Sequence, residues 1–236
     1  MHRTVRLVSV LPRVSFLALA ALASAPPGAW ASGGGTMPSM PAMPRTETPQ
    51  QKARDAYNDG VHYIKKADKA QEAAAQASDA GKKDKAAHEA HDQYQRALTA
   101  FRQAVELDDS LHEAWNYVGY SSRKLGDYDD ALVAYDKALA IKPGYPDALE
   151  YRGEAFLGLN RVSDAQQAYL DLYAGNRALA GKLLTAMKGW LSEQRAKAAG
   201  ADAASLDELD KWIQERTQIA AQTAALTRAG AAASWR

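Results

Sequence analysis

The chain has 236 residues, a formal net charge of +1 at pH 7 and no cysteine. The absent cysteines exclude disulfides, thiolate nucleophiles and thiolate metal sites. The near-neutral balance gives no footing to nucleic acid, which wants a strongly basic face.

The N-terminal segment, 1–31, reads as an export signal. Arg3, Arg6 and Arg13 make a basic start, Val14 to Leu22 an apolar run, and Ala29-Trp30-Ala31 an A-x-A cleavage site. Ala23-Ser24-Ala25 is a second candidate, disfavoured because Pro26 would follow the cut. The expected cut therefore follows Ala31. The apolar run is shorter than the roughly 20 residues that cross a bilayer, so the expected product is soluble, periplasmic or secreted, with no stable membrane span. Cleavage removes three arginines and no acid, leaving 26 basic residues against 28 acidic ones. Residues 32–50 are rich in Gly, Met and Pro and read as a flexible linker. Its Met37, Met40 and Met43 could offer thioethers to Cu(I), but a proline-rich tether explains them without a metal.

Two long helices are expected next, Gln51 to Ala80 and Asp84 to Leu107, with Gly81 at the turn. The apolar residues around that turn are nearly all alanine, among them Ala67, Ala70, Ala73, Ala74, Ala86, Ala87 and Ala90. Alanine favours helix but buries little area, so this hairpin should be helical, exposed and weakly packed. His88 and His91 lie three apart on one helix face there, with Asp84 and Asp92 a turn away. They lack the spacing of the zinc-protease helix, which needs histidines four apart, so no metal and no cofactor is assigned.

From Gln93 onward a 34-residue period governs the chain. Ala97, Ala131 and Ala165 are spaced by it, and each is followed four positions later by an aromatic, Phe101, Tyr135 and Tyr169. The clearest copy runs from His112 to Tyr145, with Trp115, Val118-Gly119, Gly126-Asp127-Tyr128, Ala131, Tyr135, Ala138 and Pro143. These residues resemble the tetratricopeptide repeat (TPR) family at matching offsets; Ser122 departs from the usual Tyr. The next copy, Pro146 to Leu179, keeps Gly153, Phe156, Ala165 and Tyr169. The resemblance implies an all-α, short TPR-type helical-hairpin solenoid in which these small and aromatic residues pack hairpins together. Gly60 matches the first small position of a repeat, but its distance from Ala97 is about three times that from Gly119 to Ala131. The first hairpin should therefore project as a finger of about 18 Å beyond the others.

Past Tyr173 the period is lost. Asn176 to Ala199 shows a helical stripe of Leu179, Leu183, Met187, Trp190 and Leu191, and Ser205 with Glu208 reads as a capping box opening a last helix. An array end needs covering, and these two helices should supply it, with Trp190 and Trp212 meeting in the cap. The expected organisation is a signal peptide (1–31), a linker (32–50), an array (51–179, with repeats 51–111, 112–145 and 146–179) and capping helices (180–236).

The resemblance places the first helices of successive repeats on a concave face. The expected exposed inner positions are Glu113, Asn116, Tyr120 and Arg123, then Asp147, Glu150, Glu154 and Leu157, with Arg54, Tyr57, Val61 and Ile64 from the base of the finger. An acidic, tyrosine-bearing groove suits a basic or amphipathic protein segment. The chain carries no nucleophile elbow, phosphate loop or dinucleotide fingerprint, so no enzyme is expected. The expected function is an exported protein–protein interaction module, a scaffold or adaptor for cell-envelope assembly or secretion. Two alternatives stand beside it: a self-associating structural protein using the alanine-rich finger, and a carrier of a metal or small ligand.

Overall fold

The computed structural model describes residues 47–197 and 203–233, which form eight α-helices. The expected signal peptide and most of the linker lie outside the described residues. Helix α1 spans Pro49–Gln76, α2 Ala80–Leu107, α3 His112–Leu125, α4 Tyr128–Ile141, α5 Pro146–Gly158, α6 Val162–Gly175, α7 Arg177–Lys197 and α8 Ala203–Ala233. They stack as antiparallel hairpins, each mainly against its neighbours in sequence. The architecture is an all-α TPR-type solenoid with an extended first hairpin and a two-helix cap.

Local chemistry sets the boundaries. Thr48 caps α1, its Oγ1 accepting from the Gln51 backbone N–H at 3.2 Å, and Pro49 takes the first helical position. The linker therefore ends at the cap and not at residue 50. Asp79 caps α2, its Oδ1 accepting from the Lys82 N–H at 2.9 Å. The turn of the finger is thus at residues 77–79, and Gly81 lies inside α2, because a capping carboxylate starts a helix more strongly than a glycine stops one. Asn176 caps α7 by accepting from Leu179 N–H at 3.1 Å, so the array ends there and residues 177–179 already belong to the cap. Helix α8 is under way at Ala203, so the Ser205 and Glu208 pair sits in its first turns and does not open it.

The repeat is visible in packing. A Cβ placed on Gly119 would lie 2.6 Å from the Tyr135 ring, and one on Gly60 would lie 2.7 Å from the Phe101 ring. Each small residue on a first helix therefore receives the aromatic of the following second helix. Gly153 departs from this rule: its missing Cβ faces Leu183 of α7 at 2.5 Å, so the cap enters where the array would have continued. The turns after α3 and α5 both need the left-handed region. Gly126 supplies it at φ 91°, and Asn160, one repeat period further on, at φ 58°.

Helices α1 and α2 each have 28 residues against 14 in α3 and in α4. The added length makes a finger of about 21 Å at 1.5 Å per residue. In α1 no residue beyond Ala70 is buried, and in α2 none before Ala90. The tip lacks the large side chains whose burial is worth about 1.5–3 kcal/mol each. Three clusters of core side chains succeed one another along the chain. The first joins α1, α2 and α3 around Phe101 and Tyr94, the second lies around Tyr135 between α4 and α5, and the third joins α5 to α8 around Tyr169, Leu183 and Met187.

Candidate partner-binding face

The first-helix face is built from α1, α3 and α5, and its dominant feature is a row of tyrosine rings. Tyr57 and Tyr117 are 6.0 Å apart between centroids, Tyr117 and Tyr120 6.3 Å, and Tyr120 and Tyr151 5.0 Å, all edge to face. Tyr117 also stacks on Phe101 at 4.9 Å, which ties the row to the core. All four rings are half-buried. Burial pushes the Tyr57 hydroxyl up to about 12, helped by Tyr117 and Glu113. Tyr117 is raised by burial and then by the Asp147 and Asp68 carboxylates, and Tyr151 by burial and then by Glu150 and Asp147. Every hydroxyl of the row thus stays protonated at neutral pH.

The finger closes one end of this face. Asp68 of α1 accepts from Tyr94 Oη at 2.6 Å and from Tyr120 Oη at 2.9 Å. Lys124 donates to Gln71 Oε1 at 2.8 Å and lies over the rings of Tyr120 and Tyr94, at 5.5 and 5.9 Å. Tyr120, expected as a free groove residue, is therefore a tether between α3 and the finger. Sequence reasoning missed Asp68 and Lys124 because nothing in the repeat pattern says that the overlong α1 turns its side chains onto α3.

The cap closes the same end of α5. Glu150 is 4% exposed and Asn116 2%, Leu157 lies in the third core cluster, and Ile64 lies in the first. None of these four is the exposed inner residue expected of it. The physical reason on α5 is occlusion by the cap: the side chain of Leu183 fills the space beside Gly153. Arg123 is mostly covered, ion-paired to Glu154 and seated between the rings of Tyr120 and Tyr151 at 5.3 and 5.4 Å. Glu150, one turn before Glu154, has its carboxyl pushed up to about 7 by burial, then by the charge and hydrogen bond of Glu154, against the pull of Arg123 and Lys182. Arg123, Glu150 and Glu154 form an internal polar knot where α3, α5 and α7 meet.

The other end of the face remains open, at the first turns of α3 and α5. Glu113 and Asp147 stand there, both half-exposed. Glu113 Oε2 lies 3.0 Å from His112 Nδ1, and Asp147 bonds Tyr145. On α1, Arg54 is exposed and Val61 is half-buried against the first core cluster. Tyr117 and Tyr151 also belong here and were missed. They occupy one repeat position in successive copies, four after Glu113 and four after Asp147, and that spacing was available as a signal.

Two other features lie off this face. Trp190 and Trp212 border a cleft of about 710 Å³ between α6, α7 and α8, with Gln166 and Gln194 among its walls. The ring partner of Trp212 is Tyr169, at 5.3 Å. On the finger, His91 Nε2 lies 3.0 Å from Gln95 Nε2. No group of three or more His, Asp or Glu able to hold a metal occurs among the described residues.

A family model described as TPR repeat matches residues 119–160, from the middle of α3 to the turn after α5. A stretch of 84 residues, 34% of the chain, is 33% identical to the uncharacterized protein ycf37 of Guillardia theta. The chain spans about half of that curated relative, 47% of its length. Among solved structures, the TPR2B domain of yeast Sti1, in a complex with pHsp70, aligns with 70% of this chain and 98% of its own. It does so at 14% identity and a TM-score of 0.37. The repeat match falls on the helices whose glycine–aromatic packing recurs in the first hairpin, and residues 119–160 are similar to the tetratricopeptide repeat.

Proposed function

We propose that the chain is an exported interaction module that holds a segment of another protein against the open end of its first-helix face. It acts as a scaffold or adaptor in cell-envelope assembly or secretion and catalyses no reaction of its own. The observation that carries this reading is the tyrosine row: rings packed edge to face on one another and still partly exposed. Such rings supply contact area at small entropic cost and dominate many interfaces. Export rests on the basic, apolar and A-x-A order of residues 3–31. Among the described residues no helix is long and apolar enough to cross a membrane.

The test is site-specific photo-crosslinking in intact cells. A photoreactive phenylalanine at position 117 should give a discrete adduct. The same group at Val133, which is 60% exposed on α4, should give none. Equal labelling at both positions, or none at 117, would overturn the reading. N-terminal sequencing of the exported chain should begin at Ser32, and full-length chain in a membrane pellet would sink the soluble, exported assignment.

A further inference from the structure

The open end of the face repeats one motif on two neighbouring helices. Glu113 and Tyr117 on α3, and Asp147 and Tyr151 on α5, are the same pair one turn apart, displaced by one repeat period. In each pair the carboxylate and the half-buried phenol are four residues apart on one helix and so share its face. Among the described residues, neither Glu113 nor Asp147 forms an ion pair with a lysine or arginine. Glu113 has only His112, and Lys142 lies over Tyr145 at 4.9 Å without reaching either acid. The carboxylates are nonetheless close enough to the row to act on it: Glu113 on Tyr57, and Asp147 on Tyr117 and Tyr151.

The closed end of the same row shows what these rings accept. There the guanidinium of Arg123 sits between Tyr120 and Tyr151 with Glu154 as its counter-charge, and the ammonium of Lys124 lies over Tyr94 and Tyr120. Ring face plus carboxylate is a cation seat, because the quadrupole and the full charge both attract a positive group. The open end has the rings and the carboxylates, and Lys142 there is engaged with His112 Nε2 at 3.1 Å and the Tyr145 ring, so neither acid has a lysine or arginine of its own.

We propose that the two Glu/Asp–Tyr pairs are seats for two basic side chains of one extended partner segment, lysine or arginine, spaced to match α3 and α5. Packed helices lie about 10 Å apart, and an extended chain advances about 3.3 Å per residue. The partner should therefore carry its basic residues three apart, Lys/Arg-x-x-Lys/Arg. This rests on the face being the binding surface, and it names the chemistry of what binds there.

The test uses the purified chain and a phage-displayed random twelve-residue library. Selected peptides should be enriched in two basic residues three apart, and crosslinks from them should map to α3 and α5. Glu113→Gln or Asp147→Asn should each weaken the best peptide about tenfold, and more at low salt than at high. Both positions are half-exposed, so far-ultraviolet circular dichroism and melting should not change. Peptides that crosslink to α3 and α5 but lack basic residues, or are indifferent to the two variants, would overturn the proposal and leave the face standing. Peptides that bind elsewhere, or none at all, would overturn the face as well. A mass that rises with concentration and falls back in the Glu113→Gln/Asp147→Asn double variant would make a second copy of this chain the occupant, and would also overturn the foreign segment.

Discussion

The carboxyl of Glu150 makes the stability of this protein depend on pH in an unusual direction. Its pKa is raised from 4.5 to about 7 by burial, then by Glu154, while Arg123 and Lys182 oppose the shift. An unfolded chain releases that proton at a lower pH than the folded one. Between about pH 4.5 and 7 the folded state therefore binds more protons, and stability falls as pH rises through this window. Glu150→Gln keeps the hydrogen-bonding shape and removes the titration. It should melt higher than wild type at pH 8, with the gap closing toward pH 5; a constant gap across that range would refute the buried carboxyl. A second residue-scale outcome concerns glycine. A Cβ at Gly119 would stand 2.6 Å from the Tyr135 ring, so Gly119→Leu should cost about 1–3 kcal/mol or more by overpacking. Ala87→Leu on the exposed finger should be nearly silent, and the thermal midpoints of the two variants measure the difference. The glycine sites were legible because the repeat period recurs at them. Glu150 was not, since the same inner position of a repeat is exposed or buried according to the element packed beyond the array. Here that element is α7, and no pattern in residues 146–158 announces it.

At the scale of the helices, the finger is held to the array by few contacts. Its alanines give helix without much buried surface, and polar bonds from Tyr120 to Asp68 and from Lys124 to Gln71 link it to α3. Asp68→Ala would leave the half-buried Tyr120 hydroxyl without its acceptor, a loss of about 1–3 kcal/mol where no water replaces it, while Tyr94 keeps Gln71 Oε1 at 2.9 Å. The expected result is faster amide exchange in residues 65–92, with α4 to α6 unchanged. Uniform exchange along the chain would mean that the finger and array form one cooperative body. Tyr120→Ala should give the same local loosening, since that ring packs between Tyr94 and Tyr151. The finger's existence and alanine surface were legible from the overlong separation of Gly60 and Ala97. Its turn was misplaced at Gly81, because a capping aspartate two positions earlier outweighs a glycine that helices tolerate at small cost. Which face of the finger meets α3 depends on how a long hairpin leans, and local patterning does not encode that.

For the whole molecule, the division of the core decides how it fails. The three clusters succeed one another along the chain, and contacts run chiefly between neighbouring elements. Solenoids of this kind gain stability as a sum of neighbour terms and lose it from the ends. The C-terminal end is guarded by α8, whose Leu206, Leu209 and Ile213 are buried in the third cluster beside Leu183 and Met187. Arg195 bridges α7 to Asp207 and Asp210 of α8 at 2.8 and 2.9 Å. That fork is largely exposed and leaves apolar burial to hold the cap, since exposed ion pairs contribute little. A chain ending at residue 202 should expose the α5–α7 side of the third cluster. Amide exchange should then rise in α5, α6 and α7, while α1 to α3 keep their protection around Phe101 and Tyr94. Because the open end of the binding face sits on α3 and α5, the truncated chain should also lose the Asp147–Tyr151 seat before the Glu113–Tyr117 seat, and a two-site peptide should bind it as a one-site peptide does. Equal loss of protection in α1 and α7 would show a single cooperative fold and would refute the stepwise reading of the three clusters.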